Sequence, residues 1–268
     1  MTGAMFARRW LLALVLCFLA ACASTPTPVE PAFKPSVGQS GKDVIWVPSP
    51  DLLVEKMLDM AKVTRSDYLI DLGSGDGRTV IAAAKRGAKA LGIEYNPDMV
   101  ALSKRNADKA GVSGLADFIK ADIFASDLSR ATVITMFLLP DLNLKLRPAI
   151  LSMKPGTRIV SNTFTMGDWV HDEIATVDCA PYCTAQLWIV PAKVEGAWQS
   201  ARGALSLQQT FQLVSGTLGT MPISNGKLRG TQISFVAGAV EYSGNVNAGV
   251  MEGTFSSSAG TGTWSARR

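Results

Sequence analysis

The stretch Asp71-Leu72-Gly73-Ser74-Gly75-Asp76-Gly77-Arg78 decides the fold of this chain. It follows an apolar segment typical of a buried strand, residues 68–72, and opens an alanine-rich segment typical of a helix, residues 77–86. Glycines at such a junction let the backbone turn tightly and approach a ligand closely. The spacing Gly-x-Gly-x-Gly differs from the Gly-x-Gly-x-x-Gly of dinucleotide-binding enzymes, and no Walker lysine follows, so a phosphate cradle is not predicted.

Strands and helices alternate on both sides of this motif. The further predicted strands span residues 88–94, 118–121, 131–139 and 157–162, and the further helices span residues 98–110 and 142–153. A helix also precedes the first strand, and two strands at residues 174–177 and 184–191 form a closing pair. Because helices separate successive strands, the pattern predicts an α/β fold with a doubly wound parallel sheet and right-handed crossovers.

Acidic residues stand at the ends of three successive predicted strands. Asp71 stands near the end of the first strand, Glu94 ends the second, and Asp122 follows the third, directly before Ile123. Ligands of such sheets bind at the carboxyl ends of the strands. Asp71 suits an ammonium group, Glu94 can accept hydrogen bonds from both ribose hydroxyls, and Asp122 can accept one from an adenine amino group. Each acid alone could be a solvated turn residue, but three in register favour a shared ligand.

With these motifs in place, residues 44–169 resemble the class I S-adenosylmethionine-dependent methyltransferases. Within that superfamily, Val47-Pro48-Ser49-Pro50, the glycine motif and Arg147-Pro148 are similar to a group related to small mitochondrial protein-lysine methyltransferases. The resemblance implies a Rossmann-like seven-stranded sheet whose last strand is antiparallel. It also implies S-adenosyl-L-methionine as the cofactor, and no metal site is expected. The residues expected to bind the cofactor are Asp71, Gly73, Ser74, Gly75, Glu94, Asp122 and Ile123.

The methyl acceptor is not fixed by the sequence. Many amine methyltransferases carry Asn/Asp-Pro-Pro-Tyr after the fourth strand, whereas residues 136–143 lack it. The acceptor therefore stays unknown, with a protein lysine or another amine as the expectation, and no catalytic residue is assigned. Asp141 and Asn143 either meet the acceptor or cap the following helix. Trp169 either covers the cleft or packs in the core, and His171, the sole histidine, is more typical of a structural residue.

The N-terminus predicts a lipoprotein signal. Arg8 and Arg9 precede an apolar run of ten residues, 10–19, which is too short to span a bilayer. The run ends in Leu19-Ala20-Ala21-Cys22, which resembles a bacterial lipobox, so we expect removal of residues 1–21 and acylation of Cys22. No aspartate follows Cys22, and resemblance to Gram-negative sorting rules then implies the periplasmic side of the outer membrane rather than the inner membrane. An ordinary signal peptide cleaved near Ala21 is the alternative.

The proline-rich residues 22–43 are predicted to be a tether, residues 44–195 the methyltransferase domain, and residues 196–268 a second domain. The second domain holds 12 of the 24 glycines and shows alternating apolar residues, which predicts a small all-β sandwich or barrel. Turns are expected at Asn225-Gly226 and Ser243-Gly244. No cluster of titratable residues lies in this domain, so no chemistry is assigned to it.

Cys179 and Cys183 flank a short proline-containing stretch. In an oxidising compartment, two cysteines four residues apart favour a disulfide that closes a turn. A metal site would need two further ligands, and two unpaired thiols remain the plainer alternative.

Two classes of function stay open. The net charge of +4 is too small to predict a nucleic-acid partner. The first hypothesis is an S-adenosylmethionine-dependent methyltransferase held at the membrane by a lipid anchor. The second is an envelope-anchored binding or structural lipoprotein that keeps the methyltransferase fold without catalysis, since the cofactor is made in the cytosol. The three acids at the strand ends favour the enzyme.

Overall fold

A computed structural model describes residues 33–268 of the chain. Its first domain contains a seven-stranded sheet with the strand order β3-β2-β1-β4-β5-β7-β6. The strands are β1 (Tyr68–Leu72), β2 (Lys89–Glu94), β3 (Ala116–Lys120), β4 (Val133–Met136), β5 (Arg158–Asn162), β6 (Glu173–Thr176) and β7 (Thr184–Ile189). The helices are α1 (Asp51–Met60), α2 (Arg78–Lys85), α3 (Pro97–Lys109) and α4 (Pro140–Leu151).

The sheet has the topology expected from the sequence. Strands β1 to β5 run parallel, and β7 pairs antiparallel with both β5 and β6. The predicted Rossmann-like sheet with an antiparallel closing strand is therefore confirmed. Strand β1 lies between β2 and β4, so the chain winds away from it in both directions. A crevice forms at such a switch point, beyond the carboxyl ends of the strands.

Apolar side chains cover both faces of the sheet. Leu69 of β1 belongs to the cluster that includes Leu53 of α1 and Val80 of α2, whereas Ile70 belongs to the cluster that includes Leu146 of α4. Strands β1 and β4 are almost completely buried, as expected of central parallel strands. Packing from both faces fixes the strand ends, which makes them a rigid base for a binding site.

The segment before α1 differs from the predicted tether. Residues 36–46, here called the N-terminal strap, fold back on themselves. The amide of Gly38 donates to the carbonyl of Trp46, and the amide of Trp46 donates to the carbonyl of Gln39, both at 2.9 Å. The described part of the predicted tether is therefore structured. The strap is held by backbone hydrogen bonds, which can form in a segment without hydrophobic periodicity. The proline-rich composition therefore did not predict its structure.

The second domain is a closed antiparallel barrel, which settles the choice between sandwich and barrel. Its strand order is β10-β11-β12-β13-β14-β15-β8-β9. The strands are β8 (Gly196–Ser200), β9 (Gly203–Thr210), β10 (Leu213–Leu218), β11 (Met221–Arg229), β12 (Gln232–Ala237), β13 (Val240–Asn247), β14 (Val250–Ser257) and β15 (Gly260–Arg267).

The two expected turns of the barrel are wrong. Asn225-Gly226 lies inside β11, where the pairing register with β12 shifts, and Ser243-Gly244 lies inside β13. A Cβ on Gly226 would lie 2.1 Å from the carbonyl oxygen of Val214 on β10. These glycines therefore permit close approach between strands and a bulge, rather than a reversal of the chain.

The barrel packs against the segment that follows β5, residues 163–172. The ring of Phe211, between β9 and β10, stacks on Trp169 with centroids 5.8 Å apart. The side-chain amide of Gln212 donates to the carbonyl of Val170 at 2.7 Å. One end of this segment is therefore held by the second domain.

Cys179 and Cys183 lie between β6 and β7, and their sulfur atoms are 1.99 Å apart as a disulfide. From the sequence pattern we expect this pair to be oxidised in protein recovered from cells. Alkylation followed by mass spectrometry should label these cysteines only after reduction. Labelling of both cysteines in unreduced protein would contradict the prediction.

The predicted signal peptide, Cys22 and the first part of the tether lie outside the described residues. Within residues 33–268, none of the helices combines the length and the apolar character needed to cross a bilayer.

Candidate cofactor and acceptor site

A cavity of about 230 Å³ lies at the carboxyl ends of the central strands. It is bounded by the ends of β1, β2 and β4, by the segment after β3, and by the N-terminal strap. All seven residues that the sequence predicted to bind the cofactor line it: Asp71, Gly73, Ser74, Gly75, Glu94, Asp122 and Ile123. The structure therefore brings this predicted set together.

Two positions of the glycine loop, 75 and 77, accept only glycine. Gly75 has φ +56°, and an added Cβ would lie 2.7 Å from the indole nitrogen of Trp46. Gly77 has φ +84°, and an added Cβ would lie 2.8 Å from the Phe118 ring. Side chains rarely adopt such φ values, and here they would also clash. The loop thus passes close to the strap while its backbone stays open towards the cavity.

Ser74 supplies an unpaired polar atom in this loop. Its residue is buried, and its hydroxyl has no hydrogen-bond partner among the described residues. A buried hydroxyl without a partner costs free energy, so such groups usually meet a ligand or an ordered water. Ser74 lines the cavity, and a hydroxyl there can bond a polar group of a nucleoside or amino-acid ligand.

Glu94 joins the end of β2 to the glycine loop. One carboxylate oxygen accepts from the amide of Gly75 at 3.0 Å, and the other accepts from the amide of Asn96 at 2.9 Å. An ionised carboxylate offers about four acceptor positions, so two remain for ligand hydroxyls. The geometry leaves Glu94 free to accept from a ribose while it shapes the loop.

Asp71 is a buried carboxyl without a cationic partner among the described residues. Its Oδ1 accepts from the hydroxyl of Thr135 on β4 at 2.6 Å. Burial, helped by the like charges of Glu94 and Asp76 and opposed by the hydrogen bond from Thr135, raises the pKa of Asp71 to about 7. A ligand that brings an ammonium group would supply the missing counter-charge.

Asp122 faces the strap as well as the cavity. Its Oδ2 accepts from Lys42 Nζ at 2.7 Å, and its Oδ1 accepts from the amide of Phe124 at 2.9 Å. The hydrogen bond from Lys42, followed by that from Phe124, holds the pKa of Asp122 below its usual value. Lys42 also lies over the ring of Tyr95 at 5.0 Å. The acid expected to meet adenine is thus tied to a segment expected to be a tether.

Aromatic side chains line another part of the cavity wall. Phe137 follows β4, Phe164 follows β5, and Tyr182 lies in the turn between β6 and β7. Leu138 and Leu139 continue the apolar surface. Apolar walls with a few placed polar groups are typical of small-ligand sites.

Other residues considered from the sequence do not reach the cavity. Asn143 is fully buried and donates to the carbonyl of Thr165 at 3.0 Å, while Asp141 lies in the first turn of α4. Trp169 is fully buried against the barrel, and His171 lies edge-on to Trp188 with centroids 6.2 Å apart. Asn143 therefore holds a loop and does not meet the acceptor, and Trp169 packs in the core and does not cover the cleft.

Four features of the site were not found from the sequence. Lys42 and Trp46 lie on the strap, and Thr135 is the hydrogen-bond donor to Asp71. The aromatic wall, the fourth feature, joins residues from three separate strand ends. A threonine in an otherwise apolar strand was the one local signal available, because a buried hydroxyl needs a partner. Within residues 33–268, no group of three or more His, Cys, Asp or Glu side chains is placed to hold a metal.

The polar groups of the cavity fit S-adenosyl-L-methionine. The unpaired Asp71 suits its ammonium, Glu94 suits its ribose, Asp122 suits its adenine, and the glycine loop gives close backbone access. No phosphate-binding group is required for this ligand. The fit rests on the carboxylate acceptors of the chain and on the hydroxyl of Ser74, which has no partner among the described residues.

Comparison with known proteins supports this interpretation. The family model described as the ANTKMT methyltransferase domain matches residues 71–173. A protein-lysine N-methyltransferase of Saccharolobus islandicus (strain REY15A) is 43% identical over 138 residues, which are 50% of this chain and 86% of the relative. The adenine nucleotide translocase lysine N-methyltransferase of Mus musculus is 34% identical over 118 residues, 43% of this chain and 51% of that protein.

A solved structure gives the same result. The RNA methyltransferase from Salinibacter ruber, in complex with S-adenosyl-L-homocysteine, has 43% sequence identity and a TM-score of 0.53. The match covers 55% of this chain and 96% of that chain. The three relatives named here are all methyltransferases, and none supports the non-catalytic alternative. This chain belongs to the S-adenosylmethionine-dependent methyltransferases, as its relatives from Saccharolobus islandicus and Salinibacter ruber show, and S-adenosyl-L-methionine is its cofactor.

Proposed function

We propose that this methyltransferase acts on the side-chain amine of a lysine in a protein, with the cofactor held by the seven residues predicted from the sequence. The observation that carries the proposal is the acidic cavity with an aromatic wall. Its described lining includes five carboxylates, from Asp43, Asp71, Asp76, Glu94 and Asp122. Relatives named as protein-lysine and adenine nucleotide translocase lysine methyltransferases support the same acceptor class.

The charge of the cavity favours an amine over a nucleic acid. Its described lining contains two basic side chains, Lys42 and Arg78. Lys42 is paired with Asp122, and Arg78 is paired with Asp76 and the carbonyl of Ser49. Nucleic-acid binding depends on basic side chains that are available to phosphates. An RNA acceptor, suggested by the name of the Salinibacter ruber protein, therefore finds less support at this cavity.

Methyl transfer requires the protein to position the cofactor and the acceptor and to balance the positive charge of the cofactor. It does not require a strong base. The cofactor supplies a methyl group on a sulfonium, which is already a good leaving group. The acceptor amine must lose its proton and approach in line, and solvent or a carboxylate can take that proton. The buried acids hold the positively charged ligand, and the apolar wall excludes water from the reacting groups.

The proposal is tested with the full chain and isotopically labelled S-adenosyl-L-methionine. Two probes are offered separately, a nuclease-treated envelope protein fraction and purified total RNA. We expect label in methyllysine after acid hydrolysis, and none with a Gly75→Val control. Label in RNA alone, or no label in methyllysine, would overturn the lysine assignment.

We also propose that the enzyme works at the cell envelope, held by a lipid on Cys22. The short apolar run that ends in Leu19-Ala20-Ala21-Cys22 supports this proposal. The residues between Cys22 and the N-terminal strap, 23–35, could span at most about 4 nm if fully extended, at ~3.3 Å per residue. The acceptor would then be a protein at or near the same membrane.

The anchor has a direct test. Cys22→Ser should move the protein from the membrane fraction to the soluble fraction, or leave its precursor uncleaved, because acylation needs the thiol. Fractionation and the mass of the N-terminal peptide report both outcomes. Wild-type protein that is soluble and carries no lipid mass would show that the anchor hypothesis is wrong.

A further inference from the structure

The aromatic wall of the cavity suggests how the proposed lysine activity selects its acceptor, and its assignment rests on that activity. We propose that Phe137, Phe164 and Tyr182, here called the aromatic trio, form a subsite for the acceptor's alkylammonium group. The subsite attracts the positive charge of the ammonium through cation–π contacts with the ring faces. The ligand class is therefore a lysine side chain in its mono-, di- and trimethylated states.

The three rings form one contiguous surface. The ring centroids of Phe137 and Tyr182 lie 5.2 Å apart in an edge-to-face arrangement, and those of Phe137 and Phe164 lie 5.9 Å apart and stacked. Phe164 and Tyr182 lie 6.3 Å apart. All three line the cavity that holds the cofactor residues, so the trio is part of the same site.

The trio is not simply core. Phe137 and Phe164 are half-buried, and Tyr182 keeps 39% of its surface exposed. Aromatic faces attract cations through their quadrupole, and methyl groups on nitrogen add apolar contact while they remove hydrogen-bond donors. The carboxylates of the cavity would also attract a cation bound at the trio. Exposed aromatic faces beside an acidic cavity are thus suited to a methylated ammonium.

The loop that carries Phe164 is held from two sides. Asn143 of α4 donates to the carbonyl of Thr165 at 3.0 Å, and Ser161 donates to the carbonyl of Phe164 at 2.7 Å. Further along, Trp169 stacks on Phe211 of the second domain. Such support fixes the ring before the acceptor arrives, which is what a specificity site needs.

The disulfide-closed turn between β6 and β7 positions Tyr182. This residue lies next to Cys183, which is bonded to Cys179. The amide of Val177 donates to the carbonyl of Cys183 at 2.9 Å. The turn therefore presents a tyrosine ring at the mouth of the cavity, which gives the cysteine turn a place in acceptor recognition.

The test uses the full chain with S-adenosyl-L-homocysteine bound and two probes of the same shape. One is N-acetyl-trimethyllysine methylamide, and the other is its neutral analogue with carbon in place of the ammonium nitrogen. Affinities are measured by ligand-observed NMR for the wild type, Tyr182→Ala and the ring-preserving Tyr182→Phe. The wild type and Tyr182→Phe should bind the charged probe roughly 2- to 30-fold more tightly than the neutral one.

Tyr182→Ala should lose most of that preference and keep its affinity for S-adenosyl-L-homocysteine, which shows that it is folded. Should it fail to bind that ligand, Phe137→Leu removes a ring with little loss of apolar volume and takes its place. No charge preference in the wild type, no measurable binding of the charged probe, or an unchanged preference in the variant would overturn the inference. These outcomes differ from failure of the lysine activity, which is read separately as absent methyllysine.

Discussion

Glu94→Ala should weaken binding of S-adenosyl-L-methionine by roughly 1.5–3 kcal/mol, the usual contribution of a hydrogen bond to a charged group. The wild-type carboxylate accepts from the amides of Gly75 and Asn96 and keeps two acceptor positions for the ribose. Its loss removes the ribose contact and loosens the loop on which the ligand lies. Isothermal titration calorimetry measures the change directly.

The two effects of Glu94→Ala can be separated with a second ligand. The wild type should bind a cofactor analogue without the ribose 2′-hydroxyl more weakly than it binds the cofactor. The Glu94→Ala variant should bind the analogue and the cofactor with equal affinity. This double comparison isolates the contact between the carboxylate and the hydroxyl from any change in the loop. Unchanged cofactor affinity in Glu94→Ala would sink the ribose assignment, and an equal loss for both proteins would leave Glu94 only as a support of the loop.

The sheet and the acids at its edge could be predicted because their signals are local. The glycine motif marks the junction of β1 and α2, and the three acids stand at or just after the ends of strands, Asp71 in β1, Glu94 in β2 and Asp122 after β3. The rule that ligands bind at the carboxyl ends of parallel strands then brings these acids together without any knowledge of packing. Residues whose role depends on position along one element were therefore found.

Residues whose role depends on contacts between distant segments were not found. Lys42 meets Asp122 across 80 positions of the chain, and composition made its segment resemble a tether. Phe137, Phe164 and Tyr182 share no motif, and only the order of β4, β5 and β7 brings them to one wall. Asn225-Gly226 has the sequence of a turn. Its glycine is needed because β10 passes close to it, and the sequence around residue 226 carries no sign of that neighbour.

The pH dependence of cofactor binding should report on Asp71. Burial, together with the like charges of Glu94 and Asp76, raises the pKa of its carboxyl to about 7, so the carboxyl is protonated below that pH. The ammonium of the cofactor favours the ionised form, so binding must release this proton. Affinity should therefore increase as pH rises towards 7, by at most about tenfold per unit for one proton. Asp71→Asn should show no such rise.

Calorimetry in buffers of different ionisation enthalpy counts the released proton. The range pH 5.5–7.0 suits the measurement, because an α-amino group titrates only near ~7.7–8.0. Without the cofactor, the same carboxyl predicts a stability trend of opposite sign. The folded state binds the proton more tightly than the unfolded chain, whose ordinary value is 3.8, so the free energy of unfolding should fall as pH rises from about 4 to about 7. Asp71→Asn should remove both trends together, and a variant that keeps either one would show that another group is responsible.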